Sequence, residues 1–310
     1  IYRILGLPGT RKEISLLNRS LLAAAKAAIS PDIVWLEWPK LLHGSTLTEL
    51  KKLWPRALFV CFQDDNPFGC RESGVAWSWF VKNIPFFDLH IVKRKTDHIT
   101  FGGAGARETI QYNGGYYEPL FDCPPRSLKR PSDLNADVTF VGTALDERVK
   151  YVEYLFSKTD IALQVFGGKW ERTHVAKRYS QSFRPIVNGR HYVAVIQHSA
   201  ISLGFVSSSN LDGFTMRTFE IPAAGGFFLA QRTDEHLSFY NEGKEAEFFS
   251  SEEECMTKIK YYLRHDLERT KIAHCGMDRC RRSYGLKKTM VPLLEQLEQK
   301  VIANHHVSRP

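Results

Sequence analysis

No stretch of the chain approaches the about 18 consecutive apolar residues that a membrane-spanning helix needs, so such a helix is excluded by the sequence. Cysteine is sparse. Six cysteines among 310 residues, none spaced as C-x-x-C, exclude a small disulfide-stapled scaffold. The opening residues, IYRILGLPGTRKEI, hold neither an initiator methionine nor the apolar core of a signal peptide. The chain is therefore expected to begin part-way into the natural protein. Zinc-finger and RNA-binding signatures are also missing. Nor is there a charged tail: residues 1–133 carry 18 basic and 13 acidic side chains, and the remainder 24 and 21, so the net charge of +8 is spread over both halves.

What is present is ordinary globular composition, 43% hydrophobic and 25% charged, enough for about two domains of roughly 150 residues. Basic residues cluster at Lys93-Arg94-Lys95, at Arg126 with Lys129-Arg130, and at Arg279, Arg281, Arg282, Lys287 and Lys288. Such clusters suit an anionic ligand, a nucleic acid or an anionic lipid surface; a solvated face is the competing reading. Free cysteines fit a reducing cytosol, with Cys61 and Cys123 read as core positions beside strands. His274-Cys275 with Cys280 is a weak metal candidate, and no metal is expected.

Short apolar runs alternate with amphipathic segments. Residues 13–29 read as a helix stopped at Ser30-Pro31, 32–38 as a buried strand, 46–54 as a helix and 57–63 as a second strand. A helix is expected over 72–83, then strands at 87–93 and 97–102, with Gly102-Gly103 turning into another helix. Residues 119–136 carry four prolines and no periodicity and read as a linker. The pattern then restarts: strands at 137–142, 201–206, 226–231 and, at an edge, 246–250, with 161–170 read as a strand and then a loop. Helices are expected at 145–158 (capped by Thr143), 189–198, 213–222, 233–241, 251–263, 266–282 and 287–302. Two repeats of this alternation predict two parallel sheets, each covered on both faces. The fold class is therefore α/β, with two Rossmann-like domains facing across a cleft. Expected boundaries are 1–130, with a first β-α-β missing ahead of Ile1; 131–286; and 287–310, a helix and tail that can cross back to the first domain.

Chemistry concentrates in SSSNLDGFTMRTFEIPAAGGFFLAQRTDE, residues 207–235. Ligands of open α/β sheets sit at the carboxyl ends of strands, where free N–H groups at the next helix suit a phosphate. Asp212 and Glu220 are eight apart, and Arg217 lies three before Glu220, so Arg217 and Glu220 can share a helical face. An arginine beside two acids and free amides suits the diphosphate and hydroxyls of a sugar nucleotide; an ordinary solvated Arg–Glu pair is the alternative. Asp64-Asp65-Asn66-Pro67, at a strand end, reads either as carboxylates that orient a hydroxyl or act as a base, or as an Asx-Pro turn. Adjacent side chains diverge in extended backbone, which argues against a metal there. Histidines 98, 174, 191 and 198 and most tryptophans read as structural, with Trp77 and Trp79 candidates for exposed aromatics.

Residues 217–231, RTFEIPAAGGFFLAQ, resemble the signature of the spore-maturation CgeB-like glycosyltransferases, a family of the GT-B group. Segments 15–38, 62–68, 137–155, 165–172 and 242–280 agree with it in order, so the likeness spans the chain. The resemblance implies a metal-independent GT-B glycosyltransferase with no cofactor beyond a nucleoside-diphosphate sugar donor, expected to be a UDP-sugar. It implies that Glu220 holds the ribose hydroxyls and that Asp212 lies by the donor sugar, where the wider group usually has glutamate. Arg217 would face the diphosphate, Gly142 and Thr143 the phosphates, and Gly167 the nucleotide, with Arg172, Lys177 and Arg178 as further phosphate candidates. Asp212, Asp64 and Asp65 are then the catalytic candidates, with retention expected. The acceptor stays open among glycan, lipid-linked saccharide, protein and nucleic acid, including modified DNA. A non-catalytic sugar-nucleotide-binding protein and a sugar-nucleotide epimerase are the rival classes. A cytoplasmic location is expected, with peripheral contact at the inner face of a membrane left open.

Overall fold

The computed structural model describes residues 11–69, 74–145, 147–158 and 161–307. The chain divides into two units: Ile1–Asn113 with Ser209–Leu211 and Met290–Pro310, and Gly114–Ser208 with Asp212–Thr289. Cys70 and residues 72–73 of the expected 72–83 helix lie outside the described residues.

In the first unit the order is α1 (Arg11–Ala27), β1 (Ile33–Glu37), α2 (Gly44–Leu53), β2 (Leu58–Gln63), α3 (Gly74–Asn83), β3 (Leu89–Val92), α4 (Asp97–Gly103) and β4 (Thr109–Gln111). The four strands form one parallel sheet in the order β1-β2-β3-β4. Alternation along β2 sorts its side chains between two cores. Phe59 and Cys61 join Leu47, Leu50, Trp77, Phe80 and Phe101 on one face, while Leu58 and Val60 join Leu89 and Ile91 on the other.

In the second unit follow α5 (Glu118–Phe121), β5 (Val138–Val141), α6 (Arg148–Lys158), β6 (Leu163–Phe166), α7 (His174–Arg178), β7 (Phe183–Arg184), α8 (Gly189–His198), β8 (Ile201–Gly204), α9 (Arg217–Ala223), β9 (Phe228–Gln231), α10 (Asp234–Phe239), β10 (Glu247–Phe249), α11 (Glu252–Arg264) and α12 (Asp266–Ser283). Its six strands are parallel in the order β10-β9-β8-β5-β6-β7. Helices α6, α11 and α12 bury Tyr151, Val152, Ile259 and Ile272 against Val138, Phe140, Ile201 and Leu229. Helices α8 and α9 bury Val193, Ile196, Phe219 and Ile221 against Phe228 and Ala230. Each sheet is flanked by helices in the manner of a Rossmann-like domain, the pair of such domains that makes up the GT-B fold. The last helix, α13 (Leu286–Val307), places Leu293 and Leu297 on the β2–β3 face of the first unit.

Two expectations are corrected in the first unit. Residues 97–102, expected as a strand, form α4. Asp97 accepts a hydrogen bond from the Arg94 backbone N–H at 2.9 Å and an ion pair from its guanidinium at 3.4 Å, which starts a helix that buries Phe101. The β-favouring His-Ile-Thr run yields to that packing, leaving Ile99 on the surface. The helix expected after Gly102-Gly103 is replaced by β4, which completes the sheet. In the second unit the helix expected from residue 213 begins at Arg217. Residues 212–216 are held as a turn by Asp212 N–H donating to Ser207 O at 2.9 Å and by the Thr233 hydroxyl donating to Gly213 O at 2.6 Å. The proline-rich stretch joins the second unit, with Tyr116 and Phe121 in its core.

Candidate active site

Gly142 follows directly on strand β5, and the geometry there needs glycine. A side chain at Gly142 would press into the Phe140 ring at 2.6 Å, and one at Gly167 would meet Gly142 O at 2.1 Å. The ends of β5 and β6 are stitched together by Gly142 N–H donating to Phe166 O at 2.8 Å. The Trp170 indole N–H closes on Gly142 O at 2.8 Å. Trp170 is buried, 2% exposed.

Phe140, fully buried, links this corner to α9. Arg217, the first residue of α9, sets its guanidinium carbon 5.9 Å from the Phe140 ring centre, within the range of a cation–π contact. Its Nε is buried without a hydrogen-bond partner among the described residues. One turn along the same helix lies Glu220, and the Tyr192 hydroxyl of α8 donates to its Oε2 at 3.1 Å. Burial raises the Glu220 pKa above the ordinary carboxylate value, opposed by the Arg217 charge and the Tyr192 hydrogen bond. Tyr192 is pushed well above the usual phenol value, by burial first and by the Glu220 charge second. It therefore stays a donor. The expected free amides of the α9 first turn are not free: Thr218 N–H donates to Thr215 O, and Phe219 and Glu220 N–H both donate to Met216 O, each at 3.0 Å. The anion-facing character of this corner rests on Arg217.

Arg148, which sequence reasoning passed over, is buried at the start of α6 and reaches two loops. Its Nε donates to Val206 O at 3.1 Å and its Nη1 to Thr143 O at 3.4 Å. Gln231, at the end of β9, accepts from Val206 N–H at 2.8 Å. Arg148 holds the loops that follow β5 and β8, and Gln231 the loop that follows β8. Their only sequence signal is a polar residue at an apolar-pattern position. Asp212 is half-buried in the turn after β8. Thr143, also half-buried, does not cap a helix, because α6 begins at Arg148.

The structure thus gathers Gly142, Gly167, Arg217 and Glu220 at the carboxyl ends of β5 and β6 and the start of α9. Arg172 stands apart, exposed and paired with Glu171 at 3.6 Å. Lys177 is exposed on α7 and, with Gly167, borders a depression of about 340 Å³. Arg178 lies over the Tyr179 ring, 5.3 Å from its centre.

In the first unit Asp64-Asp65-Asn66-Pro67 follows β2 as expected. Asp65 is buried and accepts from Asn210 Nδ2 at 3.3 Å, while Asn66 N–H donates to Asn210 Oδ1 at 2.8 Å. Phe68 N–H donates to Asn66 Oδ1 at 2.9 Å, the Asx turn of the competing reading. Asp65 is an anchor. Asp64 is half-buried, and its buried Oδ1 has no hydrogen-bond partner among the described residues. Among the described residues no group of three or more His, Cys, Asp or Glu side chains is placed to hold a metal ion.

Other candidates resolve as structural. Trp77, expected as an exposed aromatic, is buried with the Lys40 ammonium 3.5 Å from its ring centre; Trp79 is half-buried edge-on to His43. In the basic clusters, Arg94 is buried against Asp97. Arg281 donates to the carbonyls of Phe121, Cys123 and Ala223. His198 is bonded to Leu128 O at 2.7 Å, and His191 to Asp133 at 3.1 Å. No described helix is long and apolar enough to cross a membrane.

A family model described as glycosyl transferase-like matches residues 148–295, which include Arg217 and Glu220. The fold is similar to that of sucrose-phosphate synthase from Thermosynechococcus elongatus, at 12% identity and a TM-score of 0.66, over 96% of this chain and 81% of that one. Anabaena HepE, solved in complex with UDP and glucose, is similar at 13% identity and a TM-score of 0.69, over 94% of this chain and 83% of the other. Trehalose 6-phosphate synthase from Burkholderia multivorans is similar at 13% identity and 0.63, over 96% and 79%. A sequence search of curated proteins returns no match.

Proposed function

We propose that this chain is a glycosyltransferase that moves a sugar from a nucleoside-diphosphate donor, a UDP-sugar in the first instance, to an acceptor hydroxyl. The observation that carries the reading is Arg217: a guanidinium with a buried, unpartnered N–H, one helical turn from a carboxylate held by Tyr192. A diphosphate supplies the acceptor that Arg217 Nε lacks, and a ribose diol supplies two donors to Glu220. Support comes also from the family match across both residues and from HepE, solved with UDP-glucose. The 217–231 sequence favours a CgeB-like member of that group.

In the reaction the bond between the anomeric carbon and the diphosphate oxygen breaks, and its electron pair leaves on the nucleotide. The acceptor oxygen bonds to that carbon and releases its proton. Charge builds on the diphosphate as the bond opens, and Arg217 is placed to stabilise it. Gly142 and Gly167 let the ends of β5 and β6 close on each other with no side chain between them. Asp212 is assigned to a donor-sugar hydroxyl, and its spacing from Glu220 favours retention. Asp64 is the remaining carboxylate for acceptor contact.

The test is thermal stability and turnover with UDP, GDP, UDP-glucose, UDP-N-acetylglucosamine and GDP-mannose. A bound nucleotide raises apparent stability by mass action. One nucleotide family should stabilise the protein, and R217A and E220A should abolish the shift. A panel that leaves folded protein unmoved sinks the reading. Release of NDP with an epimerised sugar and no transferred glycoside would replace it with an epimerase.

A further inference from the structure

The first unit carries a second charged cavity at the opposite end of its sheet from Asp64. Its floor is set by the residues that precede three neighbouring strands: Ala57 before β2, Asp88 before β3 and Glu108 before β4. The volume is about 590 Å³, in the range of small-molecule sites. Ligands of open α/β sheets sit at the carboxyl ends, so nothing in the proposed transfer uses this place.

Four cations, Lys51, Arg56, Arg107 and Lys300, line it against two carboxylates, Asp88 and Glu108. Asp88 is divided among Lys51 at 2.7 Å, Arg107 at 2.9 Å and the Phe59 backbone N–H at 2.9 Å. Glu108 is paired with Lys300 at 2.5 Å. Arg56 is exposed and has no ion pair among the described residues. The balance is an excess of two positive charges, and the half-buried Trp54 forms an aromatic wall beside them.

We propose that this cavity binds a phosphorylated small molecule of sugar-phosphate size. A phosphate monoester carries about −1.5 to −2 at neutral pH with three acceptor oxygens, which matches the excess charge. Two guanidiniums present the forked donors that phosphate takes better than a point charge does. A carboxylate ligand would leave one positive charge unmet. Trp54 offers a face to the sugar or carbon skeleton. Because Lys300 and Ala303 come from α13, an occupant also touches the helix that covers the β2–β3 face. Binding there is therefore expected to hold α13 in place.

The test is calorimetric titration of the protein with inorganic phosphate and with ribose 5-phosphate at low ionic strength. Saturable binding is expected, tighter for ribose 5-phosphate and weakened by added salt. R56A and R107A should each weaken it by about tenfold or more, the scale of one lost charge-assisted hydrogen bond. Both side chains are exposed, so their removal leaves the fold intact. R217A should leave this binding unchanged. Binding that survives R56A and R107A but is lost in R217A would assign the phosphate to the donor corner and overturn the proposal. So would the absence of saturable binding by either probe. Equal affinity for the two probes would restrict the site to free phosphate and remove the sugar-phosphate assignment.

Discussion

Glu220 is held between opposing effects. Burial raises its pKa, while Arg217 and the Tyr192 hydroxyl lower it, and burial prevails. If its carboxylate accepts from ribose hydroxyls, nucleotide affinity should fall as pH drops through a midpoint above the usual carboxylate range. Affinity measured from pH 7 down to pH 4 checks this, and E220Q should remove the slope. The stability effect has the opposite sign. A raised native pKa means the contribution of this group is present at low pH and is lost as pH rises through that value. The difference in unfolding free energy between wild type and E220Q should shrink or reverse over that same window. Y192F removes only one hydrogen bond, so its nucleotide affinity should drop by a smaller factor, about three- to tenfold.

His90 gives a second residue-scale prediction. It is buried in β3, its Nε2 bonded to Ile84 O at 2.9 Å, and burial lowers its pKa from the ordinary 6.5 to about 4. The unfolded chain takes up the proton first, so stability should fall as pH drops from about 6.5 to about 4. The slope is at most about 1.4 kcal/mol per pH unit for one proton. H90L should flatten that part of the stability–pH curve in denaturant titrations, even if it lowers the curve as a whole.

At the scale of elements, α13 and α9 differ in how far they were legible. The last helix was expected at residues 287–302 from its apolar spacing, and it forms over Leu286–Val307. Its partner surface was not readable in the same way, because Leu58, Val60, Leu89 and Ile91 precede it by some 200 residues. L297A removes a side chain that is 1% exposed, and should destabilise the first unit by about 2–5 kcal/mol. A urea titration followed through that unit checks the figure. In α9 the residues were found but the start was not. Apolar periodicity cannot show that Thr233 would capture the Gly213 carbonyl, or that Met216 would take the first amides. The strand expected at 97–102 failed for a similar reason, since a local β preference lost to the Arg94–Asp97 pair and the burial of Phe101.

Across the whole molecule, thiols report on both units. Cys61 is buried in the first unit and Cys255 and Cys280 in the second, and burial pushes all three thiols up, Cys280 to about 12. A thiol held protonated and out of solvent does not react. In native protein, alkylation should reach Cys123 and Cys275, which are partly exposed, before these three. Mass spectrometry across a denaturant series should show Cys61 and Cys255 becoming reactive as their own units open. Rapid labelling of Cys255 in native buffer would contradict the packing described.

The sequence by itself pointed to the two parallel sheets, since short apolar runs such as LFVCFQ and DVTFVG alternate with amphipathic segments twice along the chain. The spacing of paired charges also marked Arg217 and Glu220, while Gly142 and Gly167 were marked only by the family resemblance. Tertiary structure alone decided what holds those residues: Phe140 beneath Arg217, Tyr192 on Glu220, Arg148 across the Thr143 and Val206 loops, and Asn210 on Asp65. Apart from the Arg148–Thr143 bond, each is a contact between positions distant in the chain. Hydrophobic periodicity encodes which face of an element is buried, whereas the partner of a buried polar group is chosen only when elements meet.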